Sequence, residues 1–232
     1  MTERRAPHAP GPGAFARARW LALAWLLVWG PAYAWGYGGA NFLQLCDLAV
    51  ILTCVGLWLG SPLLLSMQAL SSLVIDVAWD LDLAFRALTG RHLMGGTEYM
   101  WDARFPLALR LLSLFHVVWP PLLWWALRRV GYDRRALLAQ TLLALVALTA
   151  SRLVRPDANI NFAQSDPFTH RAWGPAPVHV GLTAVVLAAL VYAPTHALLR
   201  RVMPRPRVDD GSKNGGGPGR VSGSPCSPAA AR

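Results

Sequence analysis

VHVGLTAVVLAALVYAPTHALL, from Val178 to Leu199, runs 22 residues without one Asp, Glu, Lys or Arg. A helix rises about 1.5 Å per residue, so this run reaches about 33 Å and can cross a hydrocarbon core about 30 Å thick. Working back toward the N-terminus, five more apolar runs come into view. Ala136–Val154 is next. Phe105–Leu127 holds Arg110, His116 and the pair Pro120–Pro121. Pro62–Leu83 carries Asp76, Asp80 and Asp82, Phe42–Gly60 carries Asp47, and Trp20–Trp35 is short and contains Pro31. The pattern predicts an all-α fold, a polytopic transmembrane bundle of about six helices over residues 20–199. An N-terminal tail (1–19) and a basic C-terminal tail (200–232) flank it. Both are expected to be disordered, given their Pro, Gly, Ser and charge. No alternation long enough for a membrane barrel occurs, and no internal repeat.

The composition agrees. Only 15% of residues are charged and 54% are apolar, whereas soluble domains carry roughly 25% charge to cover a wet surface. Several of the eleven Trp fall near the ends of runs, where aromatic anchors sit at membrane interfaces. The net charge of +10 has two readings. A basic face for nucleic acid would need its Arg and Lys gathered on one surface. Here they lie in short segments between and after apolar runs, which fits anionic lipid heads. Membrane lipids are the expected partner, and nucleic acid is not. Cys46, Cys54 and Cys226 form no Cys-x-x-Cys pair, so neither a zinc knuckle nor a disulfide framework is indicated.

Fifteen of the 22 basic residues fall on one side of a six-span topology: the N-terminal tail, the 128–135 loop and the segment after Leu199. By the positive-inside rule both termini and that loop are expected in the cytoplasm, with the chain multi-pass in the cell membrane. The first run has a rival reading. Arg residues, an apolar core and Ala32-Tyr33-Ala34 also fit a secretory signal peptide, which would leave five spans.

Ionisable side chains inside membrane spans are costly and usually face a bundle interior or a watery cavity. Here they sit on one side. Gln44, Cys46 and Asp47 lie near the outer end of the second run; Asp76, Asp80 and Asp82 lie in the outer half of the third; Arg110 and His116 follow in the fourth. The exterior loops add Asn159, Asn161, Asp166 and His170. A polar pocket between the second, third and fourth helices is expected, in the outer half of the bundle. Asp76 and Asp80 share a helix face and repel unless a cation sits nearby. Arg110 matches them in depth. The three residues read either as a buried ionic staple or as a site for an ion, solute or head group. Cys46 alone reads as a small packing residue, and His116 as a structural histidine with Ser113 within reach. No His-x-x-x-His or Glu-x-x-His pair supports a metal, and no cofactor is indicated.

Three segments carry a family resemblance. Asn41-Phe42-Leu43-Gln44-Leu45-Cys46-Asp47-Leu48 resembles the Cys-bearing helix of the YwaF-like bacterial membrane proteins. Arg104-Phe105-Pro106, running on to Ser113-Leu114-Phe115-His116, resembles their Pro-to-His helix. Asn159-Ile160-Asn161-Phe162, with Asp166-Pro167 and Gly174-Pro175-Ala176-Pro177, is similar to their Asn-containing outer loop. The resemblance spans about residues 40–190. It implies kinship with lipid acyltransferases and hydrolases of the androgen-induced type, with Cys46 as nucleophile and His116 as base. A thiolate would attack a lipid ester and an acyl-enzyme would be resolved by water or an alcohol. Asp47, Asp76, Asp80, Arg110, Asn159 and Asn161 are the expected binding residues. Helix counting sets Cys46 about 6 Å and His116 about 16 Å below the outer ends of their helices, so a direct pair needs tilt or a later start of the fourth helix. A small ion or solute transporter built on Asp76, Asp80 and Arg110, and a non-catalytic membrane scaffold, are the alternatives.

Overall fold

The computed structural model describes residues 15–206. The N- and C-terminal stretches for which disorder is expected lie for the most part outside these residues. Six long helices make up the described chain: α1 (Ala18–Tyr37), α2 (Leu45–Leu59), α3 (Pro62–Thr89), α4 (Leu107–Val130), α5 (Ala136–Val154) and α6 (Ala176–Val202). No strand occurs among the described residues. Four of the helices, α3 to α6, are long and apolar enough to cross a membrane. The chain is an all-helical membrane protein.

The other two helices depart from the sequence expectation. The run from Phe42 does not start as an α-helix. Residues Gly39–Leu43 form a tight 3-10 turn, leaving α2 with 15 residues, about 22 Å of rise and short of a bilayer core. Helix α1 has 20 residues but spends them on four Trp, Pro31 and two Gly, so it does not reach the hydropathy of a span. It is nonetheless built into the bundle. Trp29 and Tyr33 are buried, and Trp29 packs edge-on against Phe42 and Phe115 at 5.5 and 5.9 Å between ring centroids. The Ala32-Tyr33-Ala34 stretch lies inside this helix.

Short signals set the helix ends. Gly60 adopts φ 63°, the left-handed conformation that ends α2, and Ser61 Oγ accepts from Leu64 N at 3.3 Å to start α3, with Pro62 in the first turn. Pro is preorganised there and costs no donor. In α4 the bonds tighten to a three-residue span at Ser113 and Leu114, and Pro120 and Pro121 withhold two further donors. In α6 the residues Leu187–Tyr192 widen into a π-helical stretch just before Pro194. Proline has no N–H for the carbonyl four residues back, and the register shifts to accommodate it.

Helix α3 is the hub, packed against α2, α4, α5 and α6. Large apolar side chains such as Leu138, Val146, Leu153, Val185 and Leu190 point outward, as lipid-facing surfaces require. The bundle has two unlike ends. One carries the residues before α1, the Gly60–Ser61 turn, the 131–135 connection and the chain after Val202. There Arg129 lies over Trp125 at 4.4 Å and Arg19 over Trp58 at 5.2 Å. The other end carries the longer segments 38–44, 90–106 and 155–175, and is called the loop end below.

Candidate functional site

The second helix opens at the loop end, and its first N–H groups have no partner within the helix. Asn161 supplies one from 116 residues away: its Oδ1 accepts from Leu45 N at 2.8 Å. Its Nδ2 donates to Leu43 O (2.7 Å) and to Ser151 Oγ on α5 (3.0 Å), and its own N–H reaches Gln44 Oε1 at 3.3 Å. Asn161 holds φ 55° to do so, a conformation Asn tolerates better than most residues. Asn159, at φ 43°, folds the loop on itself: its Oδ1 accepts from Gln164 N and Ser165 N, and its Nδ2 donates to Ser165 O. Both side chains have their hydrogen bonds filled within the protein. They shape the loop end and seat α2, and leave little capacity for a ligand.

That seating fixes Cys46 and Asp47 in the first turn of α2. Asp47 is buried; Asn41 Nδ2 donates to its Oδ2 at 2.6 Å, and the Cys46 thiol faces its Oδ1 at 3.8 Å. A carboxylate there also benefits from the helix dipole. Across from it, Tyr33 and Ser113 share a 2.5 Å hydroxyl–hydroxyl bond linking α1 to α4. Tyr33, Tyr37 and Tyr99 all lie within electrostatic reach of Asp47. Tyr99, in the loop above, has its phenol pushed up by burial. Asp76 on α3 lies within the same reach of Cys46. Cys46, Asp47 and Asp76 thus lie in the loop-end half of the bundle, with Tyr33 from α1, Ser113 from α4 and Tyr99 from the 98–101 turn nearby.

Arg110 does not join the carboxylates. Helix α4 starts at Leu107, so Arg110 sits in its first turn, and its guanidinium reaches up to donate to Met100 O at 2.8 Å. The ion pairs of the loop end are His92–Asp82, Arg104–Asp102 and Arg155–Asp157. Asp76 and Asp80 form none, so the expected ionic staple is absent. Asp76 is 1% exposed and neither of its carboxylate oxygens has a hydrogen-bond partner. Ser72, one turn earlier, sits beside it without completing a bond. Asp80, half-buried, has one oxygen enclosed and unpartnered.

His116 is buried between two rings, stacked on Trp79 (4.3 Å, 13°) and on Phe115 (4.1 Å, 22°). Its Nδ1 donates to Ser113 O at 2.7 Å. Ser113 is its partner, as the spacing predicts, but through the carbonyl, since the hydroxyl is taken by Tyr33. No hydrogen bond or ring contact joins His116 to Cys46. The thiol's polar neighbour is the Asp47 carboxylate. No group of three or more His, Cys, Asp or Glu among the described residues is placed to hold a metal.

Sequence reasoning missed Tyr33, Tyr37, Tyr99 and Ser113. The Tyr33–Ser113 bond joins residues 80 apart, and no local pattern announces it. It also passed over Gln68 and Ser72, although these continue the four-residue spacing of Asp76 and Asp80. No protein-family model, curated protein or solved structure matches this chain. The likeness to the YwaF-like proteins rests on the quoted motifs alone.

Proposed function

We propose that this membrane protein takes up a proton or a small cation from the loop end at Asp76, as the binding step of an ion or solute transporter. The observation that carries this reading is a carboxyl group enclosed in the middle of a membrane-spanning helix with both oxygens unpartnered. An enclosed carboxylate is costly unless something neutralises it, and within a membrane such groups commonly mark ion and proton pathways. Asp80 lies one turn nearer the loop end, half-exposed, where it can pass the ion inward. Asp47 and Cys46 form the facing wall. An acyl-transfer reading through Cys46 and His116 needs the imidazole within hydrogen-bond reach of the thiol, and nothing in the packing brings the two together.

For orientation, we place the short-turn end in the cytoplasm and the loop end outside, in the cell membrane. Arg128, Arg129, Arg134, Arg135, Arg200 and Arg201 fall in two short segments at the short-turn end, where Asp133 pairs with Arg135. At the loop end Arg104 and Arg155 pair with Asp102 and Asp157, and the other basic residues are spread over longer segments that also carry Glu98 and Asp166.

Dicyclohexylcarbodiimide, which modifies protonated carboxyls in apolar surroundings, tests the site. In vesicle-embedded protein, peptide mass spectrometry should find Asp76 labelled well above the surface residue Asp157, with labelling falling as pH rises. Equal reactivity of the two would remove the proposal. Membrane-impermeant maleimide on single-Cys variants at Arg134 and Thr169 reads the orientation, and modification of Arg134→Cys from outside intact cells would reverse it.

A further inference from the structure

Asp76 is one member of a longer series. Gln68, Ser72, Asp76 and Asp80 follow each other at four-residue intervals and so lie along one face of α3. Gln68, Ser72 and Asp76 are essentially inaccessible. Every one of the four has enclosed polar atoms without a hydrogen-bond partner: both amide atoms of Gln68, the Ser72 hydroxyl, both oxygens of Asp76 and one of Asp80. The series covers about 18 Å of rise, more than half of a bilayer core. At its lower end it meets a second group. Gln140 on α5 is fully buried with both amide atoms unpartnered, and the Tyr192 hydroxyl, in the π-helical stretch of α6, faces Gln140 and Ser71 without completing a bond. Below these, Ser66 Oγ accepts from Asp133 N at 2.9 Å, at the short-turn end.

We propose that Asp80, Asp76, Ser72 and Gln68 form a water-bridged proton path along α3, running from the loop end to the Gln140–Tyr192 seat. The spacing is what a bridged path needs. Successive members are about 6 Å apart along the axis, close to two hydrogen bonds in series through one water. Leaving such groups unmet is costly, and buried waters characteristically settle where two or more polar partners converge. A proton can pass every link: through the carboxyls by titration, through Ser72 by hydroxyl rotation, and at Gln68 and Tyr192 along the water that these side chains orient without themselves being protonated. A proton entering at Asp80 displaces one from the water at the Gln140–Tyr192 seat, and that proton leaves past Ser66 at the short-turn end, so no other reactant is required. The titratable groups nearest the path are Cys46 from α2, within electrostatic reach of Asp76 and with Asp47 beside it, and Tyr192 from α6, beside Ser71. His116 from α4 stacks on Trp79, the residue before Asp80, and on Phe115. Among the described residues α5 contributes none at this depth.

The path extends the proposed role of Asp76 and is tested apart from it. The full chain is placed in liposomes with an internal pH dye, and a potassium diffusion potential is imposed with valinomycin. Wild type should move protons well above protein-free vesicles. Ser72→Val and Gln68→Leu should each lower the flux at least tenfold, Ser72→Thr should keep it, and Asp76→Asn should abolish it. Monodispersity in detergent reports folding of every variant, and carbodiimide labelling of Asp76 does so for those that keep this residue. Flux within twofold of wild type in Ser72→Val and Gln68→Leu overturns the path, and if Asp76 still labels, the binding site survives that failure. Wild-type flux equal to empty vesicles also overturns the path. Absent labelling of Asp76 overturns both.

Discussion

Asp76 and Asp82 sit six residues apart on one helix, and both are almost inaccessible. Asp82 is fully met. Its Oδ1 accepts from the N–H groups of Leu93 (2.7 Å), Met94 (2.7 Å) and Gly95 (3.1 Å), and its Oδ2 takes the Thr97 hydroxyl and His92 Nδ1. Asp76 has no such partner. Burial alone therefore does not separate a carboxylate that the fold satisfies from one that it leaves unmet. The difference lies in what the surrounding chain offers. After Gly90 ends α3, residues 91–97 curl back to wrap Asp82 in donors, while Asp76 lies in the middle of α3, far from any such loop.

The contrast predicts opposite responses. Asp82→Ala strips one acceptor from three backbone N–H groups and Thr97 at once, and should destabilise the protein by about 3–5 kcal/mol. A large fall in thermal midpoint in detergent would show it. Asp76→Leu removes an enclosed polar group that has no partner to lose. Its stability should be unchanged or higher by about 1–2 kcal/mol, while proton flux and carbodiimide labelling vanish. If Asp76→Leu proves as damaging to stability as Asp82→Ala, then Asp76 is a structural group and the distinction drawn here fails.

A smaller effect is expected where the two regions meet the cap of α2. Asn161→Ala removes the acceptor for Leu45 N and the donor to Ser151, a loss of about 1–2 kcal/mol. Fraying of that first turn should speed alkylation of Cys46 severalfold. Cys46 alkylated at the wild-type rate would mean that Asn161 does not position this turn.

This cap marks the limit of what could be read in advance. The six helices and the one-sided polarity follow from apolar runs and the placement of Asp, Arg and His, because the membrane allows few other arrangements. The four-residue spacing of Asp76 and Asp80 on α3 was equally legible, but its continuation to Ser72 and Gln68 was passed over because neither residue carries a charge. Three things were not legible. The 39–43 turn that shortens α2 has no strong breaker within it beyond Gly38 and Gly39. The reach of Arg110 to Met100 depends on where α4 begins. The docking of Asn161 on α2 depends on a backbone conformation that sequence does not announce. The Asn161 contact joins residues 116 apart, and the other two depend on where a helix begins, so packing and not periodicity sets all three.

The least energetic comparison lies between Asp82 and its counterpart in the last loop. Asp166 is wrapped in the same manner: the Thr169 hydroxyl and the N–H groups of Thr169 (2.8 Å) and Phe168 (2.9 Å) all donate to it. These bonds, the Thr169 hydroxyl first among them, hold its carboxyl well below the usual carboxylate range. A depressed folded-state value means the loop's stabilisation is fully present above the unfolded value, about 3.9. It is lost only as pH falls through the lower, folded value. Amide exchange at Phe168 and Thr169 should therefore stay protected, relative to the intrinsic rate, from neutral pH down to about pH 4. Protection should weaken only in stronger acid, with the helices still intact. Asp166→Asn should remove this acid dependence without shifting the thermal midpoint measurably, since the loop packs at the edge of the bundle. Loss of protection already at pH 5 would show that the donors around Asp166 do not bind its charged form, and would separate it from Asp82 despite the matching geometry.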